Sequence, residues 1–316
     1  MTGPDRTAPA GADEVSAAWS DPKLAQVLYH DWEAETYDEK WSISFDRRCV
    51  DFARDRFREV AGTTGWPYRR ALEVGCGTGF FSLNLKQAGV LDECHVTDIS
   101  PRMVEVAQRN AASLGFDVEG RTGDAEALPY DDDTFDLVVG HAVVHHLPDV
   151  EGAFREMRRV LRPDGRVVVC GEPTRYGDAV ARRLSRATWW GTTRATALPG
   201  LRERWARPRA ELDESSRAAA LEAVVDLHTF HPSELARAAL RAGLVDVRTV
   251  TEELTAAWWG WPVRTFEAAV PAERLGWGWR NFAYRSWLAL SGLDRVLRPF
   301  VPAALYYNLS VTATKP

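Results

Sequence analysis

Lysine is scarce in this chain of 316 residues, occurring only at Lys23, Lys40, Lys86 and Lys315, so arginine supplies most of the 39 basic side chains. Against 45 acidic residues the formal net charge is −6, which gives no global basic field and argues against a nucleic-acid partner. Cysteine is sparse as well. Cys49, Cys76, Cys94 and Cys170 form no Cys-x-x-Cys pair, so neither a zinc framework nor a disulfide framework is expected. No metal site is anticipated, and a reducing, cytoplasmic setting fits. No apolar run approaches the ~18 residues of a membrane-spanning helix. Residues 1–15 hold no apolar stretch of the kind a secretory leader needs, and residues 1–20 are expected to be disordered.

What is present is concentrated at residues 71–79, Ala-Leu-Glu-Val-Gly-Cys-Gly-Thr-Gly. A short apolar run ending in an acid leads straight into three alternating glycines. Leu72 and Val74 suit the end of a buried parallel strand, and Gly75, Gly77 and Gly79 let the backbone turn tightly against a ligand. A dinucleotide turn needs Gly-x-Gly-x-x-Gly, and here Phe80 stands where its third glycine belongs. The turn also carries no basic side chain. Glu73 at its lip suits a positively charged ligand better than a phosphate.

Further strands follow in order. Cys94–Asp98 ends in an acid placed to accept from ribose hydroxyls, and Ile99 after it suits the face of a base. Val118–Thr122 is a third strand, followed by Gly123-Asp124-Ala125. Phe135–Gly140 is a fourth, leading into His141-Ala-Val-Val-His-His-Leu-Pro-Asp149. Leu161–Val169 contains a helix end, a Pro-Asp-Gly turn and a fifth strand. Val245–Val250 and Tyr306–Thr314 supply the sixth and seventh.

Residues 70–173 closely, and 228–250 more loosely, resemble the class I S-adenosylmethionine (SAM) dependent methyltransferases. Within them the likeness is to the type 11 subgroup that includes ubiquinone/menaquinone-biosynthesis enzymes, where Leu128-Pro-Tyr and Leu161-Arg-Pro-Asp-Gly-Arg recur. The resemblance implies an α/β, Rossmann-like seven-stranded sheet, mostly parallel with the last strand antiparallel, and SAM as cofactor with S-adenosylhomocysteine as product. It implies donor contacts from Glu73, Gly75, Cys76, Gly77, Thr78 and Gly79, from Asp98 and Ile99, and from the turn Asp124-Ala125-Glu126, with Asp124 accepting the adenine amine. His141 would touch the methionine part through its backbone. Tyr37, Tyr29 and His30 lie in a segment that often closes over the donor.

The organisation expected is a helical cap at 21–69, a core at 70–173, a helical insertion at 174–227, core again at 228–251, a Trp-rich helical insertion at 252–304 and a last strand at 305–316. Both insertions leave the carboxyl edge of the sheet, where ligands bind. They hold nine of the thirteen tryptophans, which suits either a roof over an apolar acceptor or packing on the core. In 279–298, Phe282, Trp287, Leu290, Leu293 and Leu297 share one helical face, with Arg280, Arg285, Arg295 and Arg298 outside it. A helix on a membrane surface and a helix on the protein's own core both fit.

Transfer of a methyl group from a sulfonium chiefly requires aligned, dry reactants. If the acceptor is a hydroxyl, a base must take its proton. His146, with His145 beside it, is the candidate base, and His228 and His231 are alternatives. The expected activity is methylation of oxygen or carbon on a small, apolar molecule such as a quinone precursor, lipid or aromatic natural product. A SAM-binding module without catalysis and an NAD-dependent oxidoreductase are the other readings.

Overall fold

The computed structural model describes residues 21–41, 43–213 and 225–316. The disorder expected of residues 1–20 falls outside them, as does 214–224 of the first insertion. Among the described residues three helices come first: α1 (Pro22–Glu33), α2 (Tyr37–Trp41) and α3 (Arg47–Ala61). Asp21 caps α1 by accepting from the backbone N–H of Lys23 and Leu24, with Pro22 in the first turn, where a missing N–H costs nothing.

The core then alternates β1 (Tyr68–Val74), α4 (Phe80–Gln87), β2 (Leu91–Asp98), α5 (Pro101–Ser113), β3 (Glu119–Thr122), β4 (Phe135–His141), α6 (Val150–Val160) and β5 (Leu161–Pro173). The described part of the first insertion holds α7 (Arg175–Thr196) and the short α8 (Arg202–Trp205). Next come α9 (Pro232–Arg241) and β6 (Val245–Glu252), the second insertion α10 (Thr255–Ala269) and α11 (Trp277–Leu297), and finally β7 (Asn308–Thr314).

Seven strands form one sheet in the order β3-β2-β1-β4-β5-β7-β6. Every pairing is parallel except the two made by β7. The central strands are buried on both faces, as a helix-covered parallel sheet requires. Leu72, Val138, Val167 and Val169 pack on one side with Phe154 of α6 and Leu235 of α9. Ala71, Leu137, Val139 and Val168 pack on the other with Phe57 of α3 and Phe81 of α4.

The strands run further than the apolar pattern indicates. β5 continues to Pro173 and β6 to Glu252, so polar residues reach the carboxyl edge. Residues 162–165 loop out of β5 between the Phe135–Leu161 and Leu137–Arg166 pairs. Strand order reverses between β1 and β4, which opens a crevice at the carboxyl ends.

Helix α11 departs from its expected face. Phe282 and Leu293 are exposed, together with Leu288 and Val296, whereas Trp287, Leu290 and Leu297 are half-buried. One residue orients it. The buried Asp294 carboxylate accepts from the backbone N–H of Leu254, Thr255 and Ala256 at 2.9, 2.9 and 3.0 Å and from the Thr255 hydroxyl at 2.6 Å, capping α10 from outside its own chain segment. No helix of the described residues is long and apolar enough to cross a membrane.

Candidate active site

The turn after β1 holds the three glycines at φ +61°, +49° and +86°, a region that side chains with a Cβ avoid. At Gly75 an added Cβ would also lie 2.0 Å from Val143 Cγ2. At Gly77 it would meet only Tyr37 Cε1, at 3.8 Å. The backbone there is open toward a ligand, with the Tyr37 ring above it.

Asp98 closes the other side. Its carboxylate accepts from Gly77 N and Ser100 N, each at 2.9 Å, and burial pushes its pKa up to about 6 against those two bonds. Ile99, partly exposed, and Ala125 line the same cavity. Glu73 borders the cavity but is only 2% exposed, its Oε2 accepting from the N–H of Ser82 at 3.1 Å and from the Ser82 hydroxyl. Burial raises it to about 8. The Cys76 side chain packs into the core, so this residue offers the cavity its backbone.

Asp124 and Glu126 already have a cation. Lys23 Nζ of α1 lies 2.6 Å from both Asp124 Oδ2 and Glu126 Oε2, while Asp124 Oδ1 accepts from Glu126 N at 2.9 Å. Gln26, one turn on, donates to Val225 O at 2.7 Å and to His146 O at 3.3 Å, and Asp31 accepts from the Ser100 hydroxyl. Helix α1 is thus tied across the crevice at three points.

The histidines fall into distinct surroundings. The His141 ring sits 5.3 and 5.2 Å, centroid to centroid, from Phe80 and Phe81. Its buried Nε2 has no hydrogen-bond partner, and burial holds its pKa down at about 3. His145 Nδ1 lies 2.8 Å from Glu172 Oε2, and its Nε2 lies 3.7 Å from Asp226 Oδ1. Burial opposes the charged ring, but Glu172, Asp226 and Asp178 outweigh it and raise its pKa. His146 lies 2.9 Å from Val225 O through Nδ1. Its pKa is driven well down, by burial first and then by His145 and His30. His231 caps α9, its Nδ1 accepting from Ser233 N at 3.3 Å, whereas His228 lines the cavity with Nε2 3.0 Å from Leu147 O.

Glu172, Asp226 and Lys23 were not apparent as site residues in the sequence. Glu172 repeats the signal that marked Glu73 and Asp98, an acid at the carboxyl end of an apolar strand. Asp226 had no such signal. It stands with His145 and His146 as three side chains whose ligating atoms lie within 4.8 Å of one another, the one such group found among the described residues.

The glycine turn, Asp98, Asp124, Asp226 and the rings of His141, His145, His146 and His228 border one cavity of about 1610 Å³. Its floor is the glycine turn, Asp98, His141 and the His145–His146 pair. Its walls include Asp178, Arg182 and Trp189 of α7, Trp261 of α10 and Trp287 of α11. On the far wall the buried Arg56 guanidinium pairs with Glu253 at 2.8 Å and Glu252 at 3.2 Å. The glycine cradle, the acid at the end of β2 and the unpartnered His141 nitrogen fit a nucleoside-bearing cation such as SAM.

A seven-stranded sheet of this order with a glycine turn and a β2 acid at the switch point is a Rossmann-like methyltransferase fold. Residues 72–169 match the family model described as "Methyltransferase domain", and they form a class I SAM-dependent methyltransferase domain of the type 11 subgroup. Among curated proteins, the chain is 39% identical over 101 residues to an uncharacterized methyltransferase, YcgJ, of Bacillus subtilis, covering 32% of this chain and 39% of that one. It is 38% identical over 112 residues to the demethylmenaquinone methyltransferase of the same organism, covering 34% of this chain and 48% of that one. The chain therefore spans half or less of these relatives' lengths. A solved structure of a putative sarcosine dimethylglycine methyltransferase from Galdieria sulphuraria superposes with a TM-score of 0.53 at 13% identity, over 90% of this chain and 98% of that one. That likeness is one of fold.

Proposed function

We propose that this protein is a SAM-dependent methyltransferase acting on an oxygen or carbon of a small, largely apolar acceptor. The observation that carries the reading is that the glycine cradle, Asp98 and the His145–His146 pair share one cavity roofed by the insertion helices. SAM, when bound, supplies a methyl group on a sulfonium whose positive charge disappears as the group is transferred. The chain's part is to align and to exclude water.

On this reading Gly75, Gly77, Thr78 and Gly79 hold the donor by backbone, Asp98 accepts from the ribose and Tyr37 covers the turn. Asp124 and Glu126 take the adenine edge once Lys23 gives way, and His141 packs beside the methionine part. His146, kept neutral by its surroundings, takes the acceptor's proton where there is one to take. His145, with its raised pKa, is suited to hold a proton and to orient its neighbour. Trp189, Trp261 and Trp287 supply apolar wall, and the relative named as a demethylmenaquinone methyltransferase supports an acceptor of quinone type.

Calorimetric titration with SAM and S-adenosylhomocysteine tests the donor site, with Asp98→Ala as the control. Loss of charge-assisted bonds predicts a drop in affinity of roughly 10- to 100-fold. Wild-type affinity in the variant, or binding of NADH in place of SAM, would overturn the assignment.

A further inference from the structure

Helix α11 is apolar on two sides, and among the described residues only one of them has a partner. At about 100° per residue, Trp279, Ala283, Trp287, Leu290 and Asp294 point one way, toward α10 and the core. Trp277, Arg285, Leu288, Ala289, Val296, Phe282 and Leu293 fall within an opposite arc of about 160°. The second set is exposed throughout. Val296 is 66% accessible, and Trp277 and Phe300, which bracket the helix, are 79% and 80% accessible. Large aromatic and aliphatic side chains in that state over a length of about 30 Å are unusual for a surface that meets only water.

Charge decides what fits this face. The helix carries Arg280, Arg285 and Arg295, all exposed, and its single carboxylate, Asp294, is buried as the cap of α10. A cationic, carboxylate-free surface has therefore been set on a chain whose net charge is −6. Aromatic side chains at both ends, aliphatic ones between them and arginines alongside are the composition of a helix lying in the headgroup region of a bilayer.

We propose that α11 docks the protein on a membrane surface bearing anionic lipid, with Trp277 and Phe300 as its two anchors. The flank of the helix between its inner and outer sides, Tyr284 and Ser291, lines the cavity together with Leu288 at the edge of the outer set. The docked face therefore adjoins the cavity's wall, an arrangement that suits an acceptor drawn from the lipid phase. The docking itself stands whether or not the protein transfers methyl groups.

The test is flotation of the full chain with phosphatidylcholine vesicles, with and without phosphatidylglycerol, at low and high salt. The expected result is flotation that needs phosphatidylglycerol and falls as salt rises. Arg280→Glu with Arg285→Glu should lower the bound fraction at least about tenfold. Val296→Glu, a separate change at a solvent-facing position, should lower it as well, with wild-type circular dichroism in both cases. Absence of flotation, or equal flotation of wild type and variants, overturns the proposal. So does a wild-type dimer in sedimentation that Val296→Glu disperses, because the face would then belong to a second copy of the chain.

Discussion

Glu172 Oε2 lies 2.8 Å from His145 Nδ1, and the same fully buried carboxylate accepts the backbone N–H groups of Val143, Val144 and His145 at 3.0, 2.9 and 2.9 Å. The end of β5 thus holds the turn after β4, sets the tautomer of His145 and so fixes where the neighbouring His146 ring stands.

Glu172→Gln should therefore disturb more than one bond. An amide brings two donors to a place where four donors already converge, so at least one contact becomes unfavourable. A loss of about 2–4 kcal/mol in stability is expected, with a lower kcat in whatever protein still folds. Thermal unfolding and turnover measured on the same sample check both.

For His146→Ala the expected outcome is a fall in turnover of roughly 10²- to 10⁴-fold at unchanged donor affinity. Because the ring's pKa is held well below 6.5, wild-type turnover should not lose activity as pH falls through the usual histidine range. Wild-type turnover in the variant would remove His146 as the base.

Lys23 competes with any amine at Asp124. Lys23→Met should free that carboxylate and raise affinity for S-adenosylhomocysteine, by no more than about fivefold, since a half-exposed ion pair is worth ~0–1 kcal/mol. Weaker binding in calorimetry would instead make Lys23 part of the closed donor site.

Glu73 gives a stability signature against pH. Burial, partly offset by its bonds to Ser82, raises its pKa from 4.5 to about 8 on folding. A carboxyl group raised in this way stabilises most below its unfolded value, and the contribution is lost as pH rises toward its folded one. Thermal stability of the ligand-free protein should fall from pH 5 to pH 8, and Glu73→Gln should flatten that slope by ~1 kcal/mol or more.

The order of strands, the glycine turn and the acid after β2 could all be read from the sequence, because each rests on local physics: apolar runs bounded by residues that only certain backbone shapes tolerate. Asp98, Gly75, Gly77 and His141 line one cavity for that reason. The apolar pattern ends at Val169 in β5 and at Val250 in β6, because Glu172 and Glu252 interrupt it while still pairing in the sheet. The amphipathic pattern of 279–298 was present in the sequence, but not which of its two apolar sides would be used.

The sequence by itself determined the sheet, the glycine cradle and the type 11 core, since periodicity and left-handed glycines act over a few residues. Only the tertiary structure decided that Lys23 meets Asp124, that Glu172 and Asp226 flank His145, and that α11 turns Val296 and Phe282 outward. Those contacts join residues tens to hundreds of positions apart. Asp294 illustrates why: its carboxylate satisfies the orphan N–H groups of α10, and burying it there rotates the whole helix to a face that hydrophobic periodicity alone leaves undecided.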